Sequence, residues 1–115
     1  MVTSRKRIAT HAVPAHGEVW WLEDEGIGRR PVLILTRSSA IDVLTRVVVA
    51  PITRTVRRIP SEVLLDEGDG MPERCAVTMD SLRTVSKGLL TRRITMLSHG
   101  KLFQLCEAMK FALDC

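Results

Sequence analysis

The chain has 115 residues, with 17 Lys and Arg against 13 Asp and Glu; it is long enough for one hydrophobic core and too short for two, so it reads as a single domain. Of the 17 cations 13 are arginine, whose planar fork pairs bidentately with phosphate where lysine is a point charge, so the basic balance leans towards nucleic acid. Three cysteines without a C-x-x-C pair disfavour a disulfide framework and a zinc site, and no apolar run reaches the roughly 20 residues of a membrane helix, so a cytoplasmic protein is expected.

Residues 1–16 are basic and polar with a proline and no periodicity, which predicts a loosely held tail ahead of a folded domain at 17–115. Strands are expected over Gly17–Leu22, Pro31–Thr36, Leu44–Ile52, Ser61–Leu65, Arg74–Met79 and Thr91–Leu97. The stretches "DEGDG" and "SKG" mark turns. Trp20 and Trp21 are adjacent on a strand, so one should enter the core and the other face outwards, where it can stack on a base or pack under a loop. At the end of the chain Leu102, Leu105, Cys106, Met109 and Leu113 fall three and four apart, which predicts an amphipathic helix with Ser98 as its N-cap. Short, closely spaced strands with a helix over one face make a mainly β fold, a small barrel with a C-terminal α-helix.

Phosphate-loop, zinc-protease, nucleophile-elbow and dinucleotide motifs are all absent, which disfavours the familiar enzyme classes. His11 and His16 belong to the tail and His99 to the helix start, so a paired-histidine acid/base device is hard to assemble. Two apolar strands do bring cations and hydroxyls to their ends: Arg29 and Arg30 before "PVLIL", and Thr53, Arg54 and Thr55 after "VVVAPI". The acidic loop Glu23–Glu25 lies nearby. A guanidinium stabilises the charge of a pentacoordinate phosphorus, and a threonine hydroxyl donates to a non-bridging oxygen, so this set suits a phosphodiester. The alternative is that Arg30 pairs with a carboxylate at the barrel rim.

In order along the chain, "GEVWW", "RRPVLIL", "VVVAPIT", "IPSEVLL", "CAVTMDSLRTV" and "GKLFQLCEAMKFALD" resemble the segments of the MazF/PemK-like toxins of bacterial toxin-antitoxin pairs, from Gly17 to Asp114. The resemblance implies an SH3-like small barrel of the MazF/Kid/CcdB type that forms a homodimer. It also implies metal-independent, cofactor-free, sequence-specific cleavage of single-stranded RNA, by 2′-hydroxyl attack to a 2′,3′-cyclic phosphate and a 5′-hydroxyl, with a MazE-like antitoxin as partner. Arg30 falls on the family's catalytic arginine and Thr53 on its catalytic threonine, while Arg83 matches an arginine assigned to structure or the dimer interface. Arg29, Arg54, Thr55, Asp80 and Ser81 are then candidate RNA contacts, with Arg29 pointing to the opposite side from Arg30 and acting by general attraction. Glu23 and Glu25 are candidate acid/base groups. The first loop is shorter than is usual in the family, and Asp80-Ser81 stands where other members have Glu-Gln. Two rivals are a CcdB-like gyrase-targeting toxin, whose terminal Trp-Gly-Ile this chain replaces with Leu113, Asp114 and Cys115, and a non-catalytic RNA- or protein-binding barrel.

Overall fold

A computed structural model describes residues 13–26 and 28–113. Seven strands, β1 (Glu18–Asp24), β2 (Gly28–Ile34), β3 (Arg46–Thr53), β4 (Glu62–Leu65), β5 (Cys75–Thr78), β6 (Arg83–Ser86) and β7 (Leu90–Met96), form an antiparallel sheet. Its order is β4-β5-β3-β2-β1-β7, with β6 on β3. A one-turn helix α1 (Ser38–Ile41) follows β2, and α2 (His99–Leu113) closes the chain. The mainly β architecture with a C-terminal helix is thus as the sequence predicts. None of the described helices is long and apolar enough to cross a membrane.

The continuous apolar runs have a simple origin: β1, β2 and β3 are buried on both faces. Val19, Leu33, Ala50 and Ile52 point into one cluster with Val77, Met79, Leu105 and Ala108. Their neighbours Trp20, Leu22, Val32, Ile34, Val47 and Val49 point into another, closed by Ile41, Val85 and Leu90. Successive side chains alternate between faces, so a strand covered on both sides shows no polar alternation.

β3 serves two neighbours in turn. Arg46 to Val49 pair with β6, whereas Ile52 and Thr53 pair with Val77 and Ala76 of β5. Pro51 sits at the changeover. It has no N–H to give the ladder, and its carbonyl instead accepts from Thr78 Oγ1 at 3.0 Å.

The ends are pinned by polar groups, one of them buried. The Glu18 carboxylate, 7% exposed, accepts from Ala15 N (2.8 Å), Trp20 Nε1 (2.9 Å) and Arg93 Nη1 (3.0 Å). Three donors satisfy a group that would be costly to bury alone. His16 N also donates to Ser38 Oγ at 2.9 Å, so ordered contacts begin upstream of Gly17; positions 1–12 of the expected tail lie outside the described residues. At the other end Ser98 Oγ accepts from Lys101 N at 3.2 Å and caps α2. Leu105 and Ala108 carry the buried stripe of that helix, while Cys106, expected on it, is exposed. Lys101 Nζ donates to Leu64 O at 2.7 Å, fastening α2 to β4.

Three features differ from the sequence expectation. β2 begins at Gly28 and takes Arg29 and Arg30 inside the strand, where β1 supplies partners. β6 arises in a stretch where the residues by themselves predict no separate strand, and it pairs with the start of β3. α1 is a single turn whose Ile41 is fully buried.

Gly70 tests the turn between β4 and β5. Its φ is +96°, and a Cβ there would collide with Thr95 Oγ1, which donates to Asp69 O at 3.0 Å. Gly70→Ala is expected to cost about 2–4 kcal/mol in urea unfolding, combining left-handed strain with overpacking. Gly100→Ala, in the first turn of α2 where an added Cβ would meet only Ser98 Oγ at an ordinary contact of 3.9 Å, is expected to stabilise by a few tenths to about 1 kcal/mol.

Candidate active site

The β2–β3 ladder runs Ile34↔Val49, Leu33↔Ala50, Val32↔Pro51 and stops. Extending that register by two residues sets Arg30 opposite Thr53, but the ladder stops short of them and the strands have parted there, while the other edge of β3 takes up β5. A cleft of about 510 Å³ opens at the divergence. It is lined by Trp21 of β1, Arg29, Arg30 and Pro31 of β2, Ile52 and Thr53 of β3, Arg54 and Thr55 beyond it, and Met71, Pro72, Glu73 and Cys75 ahead of β5. Five residues singled out from sequence, Arg29, Arg30, Thr53, Arg54 and Thr55, therefore share one cavity.

Their electrostatic situations differ. Arg30 is exposed and has no ion pair among the described residues, so the rim salt bridge considered as an alternative is not formed there. Arg29 instead makes such a contact, with Nε 3.7 Å from Glu23 Oε2, and its guanidinium carbon lies 4.2 Å from the Trp21 ring centroid. Of the adjacent tryptophans Trp20 is buried and Trp21 half-buried. Arg54 Nη1 stands 3.6 Å from Glu73 Oε2, both well exposed, a pairing that solvent weakens. Three arginines against one lining carboxylate leave the cleft cationic.

Thr53 is prepared as a donor. Its Oγ1 accepts from Thr55 N at 3.1 Å, a local turn that fixes the side chain and leaves the hydroxyl proton free to point elsewhere. Cys75 is the opposite case. Burial first, then the charges of Glu73, Asp69 and Asp66, push its thiol up to about 11, so it stays protonated at neutral pH and is unsuited to nucleophilic attack.

Several sequence candidates lie away from the cleft wall. Glu23 is held by Arg29 and by Thr91 Oγ1, which donates to it at 2.9 Å, and Glu25 is exposed in the turn beyond. Neither lines the cavity, and His16 and His99 do not either. Asp80 and Ser81 belong to a separate network. Asp80 accepts from Ser61 Oγ at 3.0 Å and from Ser81 Oγ at 3.3 Å, and lies 3.6 Å from Arg57 Nη2. Arg57 also donates Nε to Glu62 at 2.6 Å and its backbone N–H to the same carboxylate at 2.9 Å. This network ties the loop after β3, which carries Arg54 and Thr55, to the β5–β6 turn. Glu73 was missed from sequence. The pairing of Ile52 and Thr53 with Val77 and Ala76 brings its segment alongside β3, and nothing local in "MPER" announces that.

Residues 15–113 match the family described as PemK-like, MazF-like toxin of type II toxin-antitoxin system. The chain is 47% identical over 105 residues to a protein of Mycobacterium tuberculosis named probable endoribonuclease MazF5, covering 90% of this chain and 96% of that one. It is 41% identical over 85 residues to endoribonuclease MazF3 of the same species, covering 74% of this chain and 82% of the other. Among solved structures, Mycobacterium tuberculosis toxin MazF-mt6 superposes with a TM-score of 0.78 at 36% identity, over 84% of this chain and 96% of that chain. A mycobacterial endoribonuclease in complex with its cognate antitoxin superposes with a TM-score of 0.79 at 26% identity, over 88% and 95%.

The loop anchor can be tested by pH. The Ser61 hydrogen bond, reinforced by the Arg57 charge, holds the Asp80 carboxyl below the usual carboxylate range. A carboxylate depressed on folding stabilises above its unfolded pKa of about 3.9, and that contribution is lost as pH falls through the folded value. Asp80→Asn is therefore expected to lower the urea midpoint at pH 7, with the gap to the parent closing below about pH 4.

Proposed function

From the premise that this chain belongs to the PemK-like, MazF-like family of type II toxins and is an endoribonuclease, as its relatives are named, we propose that the cleft between β2 and β3 cleaves single-stranded RNA by 2′-hydroxyl attack. The observation that carries this reading is the pairing of an arginine that no described carboxylate neutralises, Arg30, with a threonine hydroxyl left free to donate, Thr53, across the parted strands.

In the proposed reaction the ribose 2′-oxygen bonds to the adjacent phosphorus and the bond to the 5′-oxygen breaks. The products are a 2′,3′-cyclic phosphate and a 5′-hydroxyl. No metal is needed to generate the nucleophile, because it belongs to the substrate. Arg30 stabilises the additional negative charge of the phosphorane; a guanidinium does not deprotonate in proteins, so it is not the base. Thr53 donates to a non-bridging oxygen and holds the phosphate in line. Glu73, the carboxylate on the cleft wall, is better placed to accept the 2′-proton than Glu23, which lies off that wall and accepts from Thr91, or the outlying Glu25, and water supplies the proton that the departing 5′-oxygen takes up. Arg54 and Thr55 extend the phosphate track.

The neighbour solved with its antitoxin supports a partner for this chain too: a MazE-like protein whose extended acidic segment takes the cationic cleft, carboxylates standing where phosphates would. The protein acts as a homodimer in the cytoplasm. Apolar surface at Phe103, Phe111 and Val43, all more than half exposed, is consistent with burial against a second copy.

Purified protein incubated with unstructured RNA in a chelator should cut it; intact RNA would leave the gyrase-directed or purely binding readings. Arg30→Ala should lower the cleavage rate by about 10²-fold or more while weakening RNA binding much less, and Arg30→Lys should restore little, having the charge without the fork. Thr53→Val and Glu73→Gln should each cost about 10-fold or more in kcat, with circular dichroism showing the folds intact. Antitoxin and RNA should compete, and light scattering should give twice the chain mass at micromolar concentration.

A further inference from the structure

Arg29 is held in a way that general electrostatic attraction does not require. Its guanidinium lies over Trp21 at 4.2 Å, its Nε faces Glu23 Oε2 at 3.7 Å, and the same carboxylate oxygen accepts from Thr91 Oγ1 at 2.9 Å. The strand pairings explain the cluster. Glu23 opposes Arg29 and Trp21 opposes Pro31 across β1–β2, so all four side chains share one sheet face. On the other side of β1, Trp21 pairs with Arg92 but Leu22 with Leu90. Thr91 is the extra residue of a bulge, and bulges re-aim side chains. Here the bulge turns the Thr91 hydroxyl onto Glu23.

One face of the Arg29 guanidinium covers Trp21. The side chain is 51% exposed, and both residues line the cleft that holds Arg30 and Thr53. Guanidinium planes and aromatic rings are the surfaces on which unpaired bases stack. The chain has no Tyr and only two Phe, both on α2 as Phe103 and Phe111, so Trp21 is the one aromatic ring among the residues lining the cleft.

We propose that Arg29, backed by Trp21, is a stacking platform for a nucleobase next to the scissile phosphate, and that Glu23 and Thr91 are positioning residues that fix its plane. The inference rests on the reading of the cleft as the RNA site, and it assigns Glu23 a role in substrate binding rather than proton transfer.

The test uses two uncleavable probes of about 12 nucleotides, a 2′-O-methyl single strand of random sequence and an abasic strand of equal length and charge, with binding followed by anisotropy. The parent should prefer the base-bearing strand by about 10-fold. Arg29→Lys should erase most of that preference while leaving affinity for the abasic strand within about 2-fold, because it keeps the charge and loses the plane. Trp21 fluorescence should respond to the base-bearing strand alone, read against Trp21→Phe to remove the Trp20 background. In cleavage assays Glu23→Gln and Thr91→Val should raise KM several-fold and leave kcat nearly unchanged, the pattern of lost ground-state binding. A full base preference in Arg29→Lys would overturn the proposal, as would equal weakening of both strands in Arg29→Ala or a fall in kcat alone in Glu23→Gln. Failure of the parent to cut unstructured RNA would instead bring down the functional reading beneath it.

Discussion

The fold turns on β3 changing partner. Along one edge it holds β2 in a ladder that stops at Val32↔Pro51, two residues short of Arg30 and Thr53, and along the other it passes from β6 to β5. Because the ladder to β6 ends at Val49 and the ladder to β5 starts at Ile52, the strand must bend, and the bend falls at a proline that has no N–H to lose. The two faces of β3 also reach separate cores. The first half of β3 is buried against Val85 and Ile41 and the second against Val63, Val77 and the helix.

The cleft is assembled from groups whose burial and pairing divide them into distinct tasks. Glu18, Glu62 and Asp80 are spent on structure, each with two or more donors close by. Arg29 is half committed, to an aromatic ring and a distant carboxylate. Arg30 is committed to nothing among the described residues. An arginine left unpaired on a rigid strand contributes little to stability, but it meets an incoming anion without first having to break another contact, which is the physical content of preorganisation.

Most of the scaffold could be read from residue order because local physics decides it. The doubly buried strands announce themselves as unbroken apolar runs, Ser98 marks the helix start through its side-chain oxygen, and Arg30 and Thr53 stand at the ends of the two runs that diverge. What escaped reading depends on long-range pairing. Arg83–Ser86 has one buried residue, Val85, too little to signal a strand until β3 lies beside it. Glu73 enters the cleft through the β3–β5 pairing. On α2 Cys106, expected on the apolar stripe, is exposed, and Ala108 is buried beside Leu105 where β4 and β5 lie against the helix. Asp80 and Ser81, placed among the RNA contacts by resemblance, sit in a network with Ser61 and Arg57 that no spacing rule reveals.

The β1–β7 pairing carries a temporal consequence. Glu18 reaches Arg93, Trp21 pairs with Arg92, and Glu23 takes its hydrogen bond from Thr91, so the first strand of the cleft is completed by the last strand of the sheet. Contacts between such distant points along a chain form late, after the loop-closure cost has been met. During synthesis, at roughly 5–20 residues per second, the segment bearing Arg29, Arg30 and Thr53 emerges well before the residues that hold its wall in place. A growing chain therefore lacks its finished cleft wall until β7 has been made.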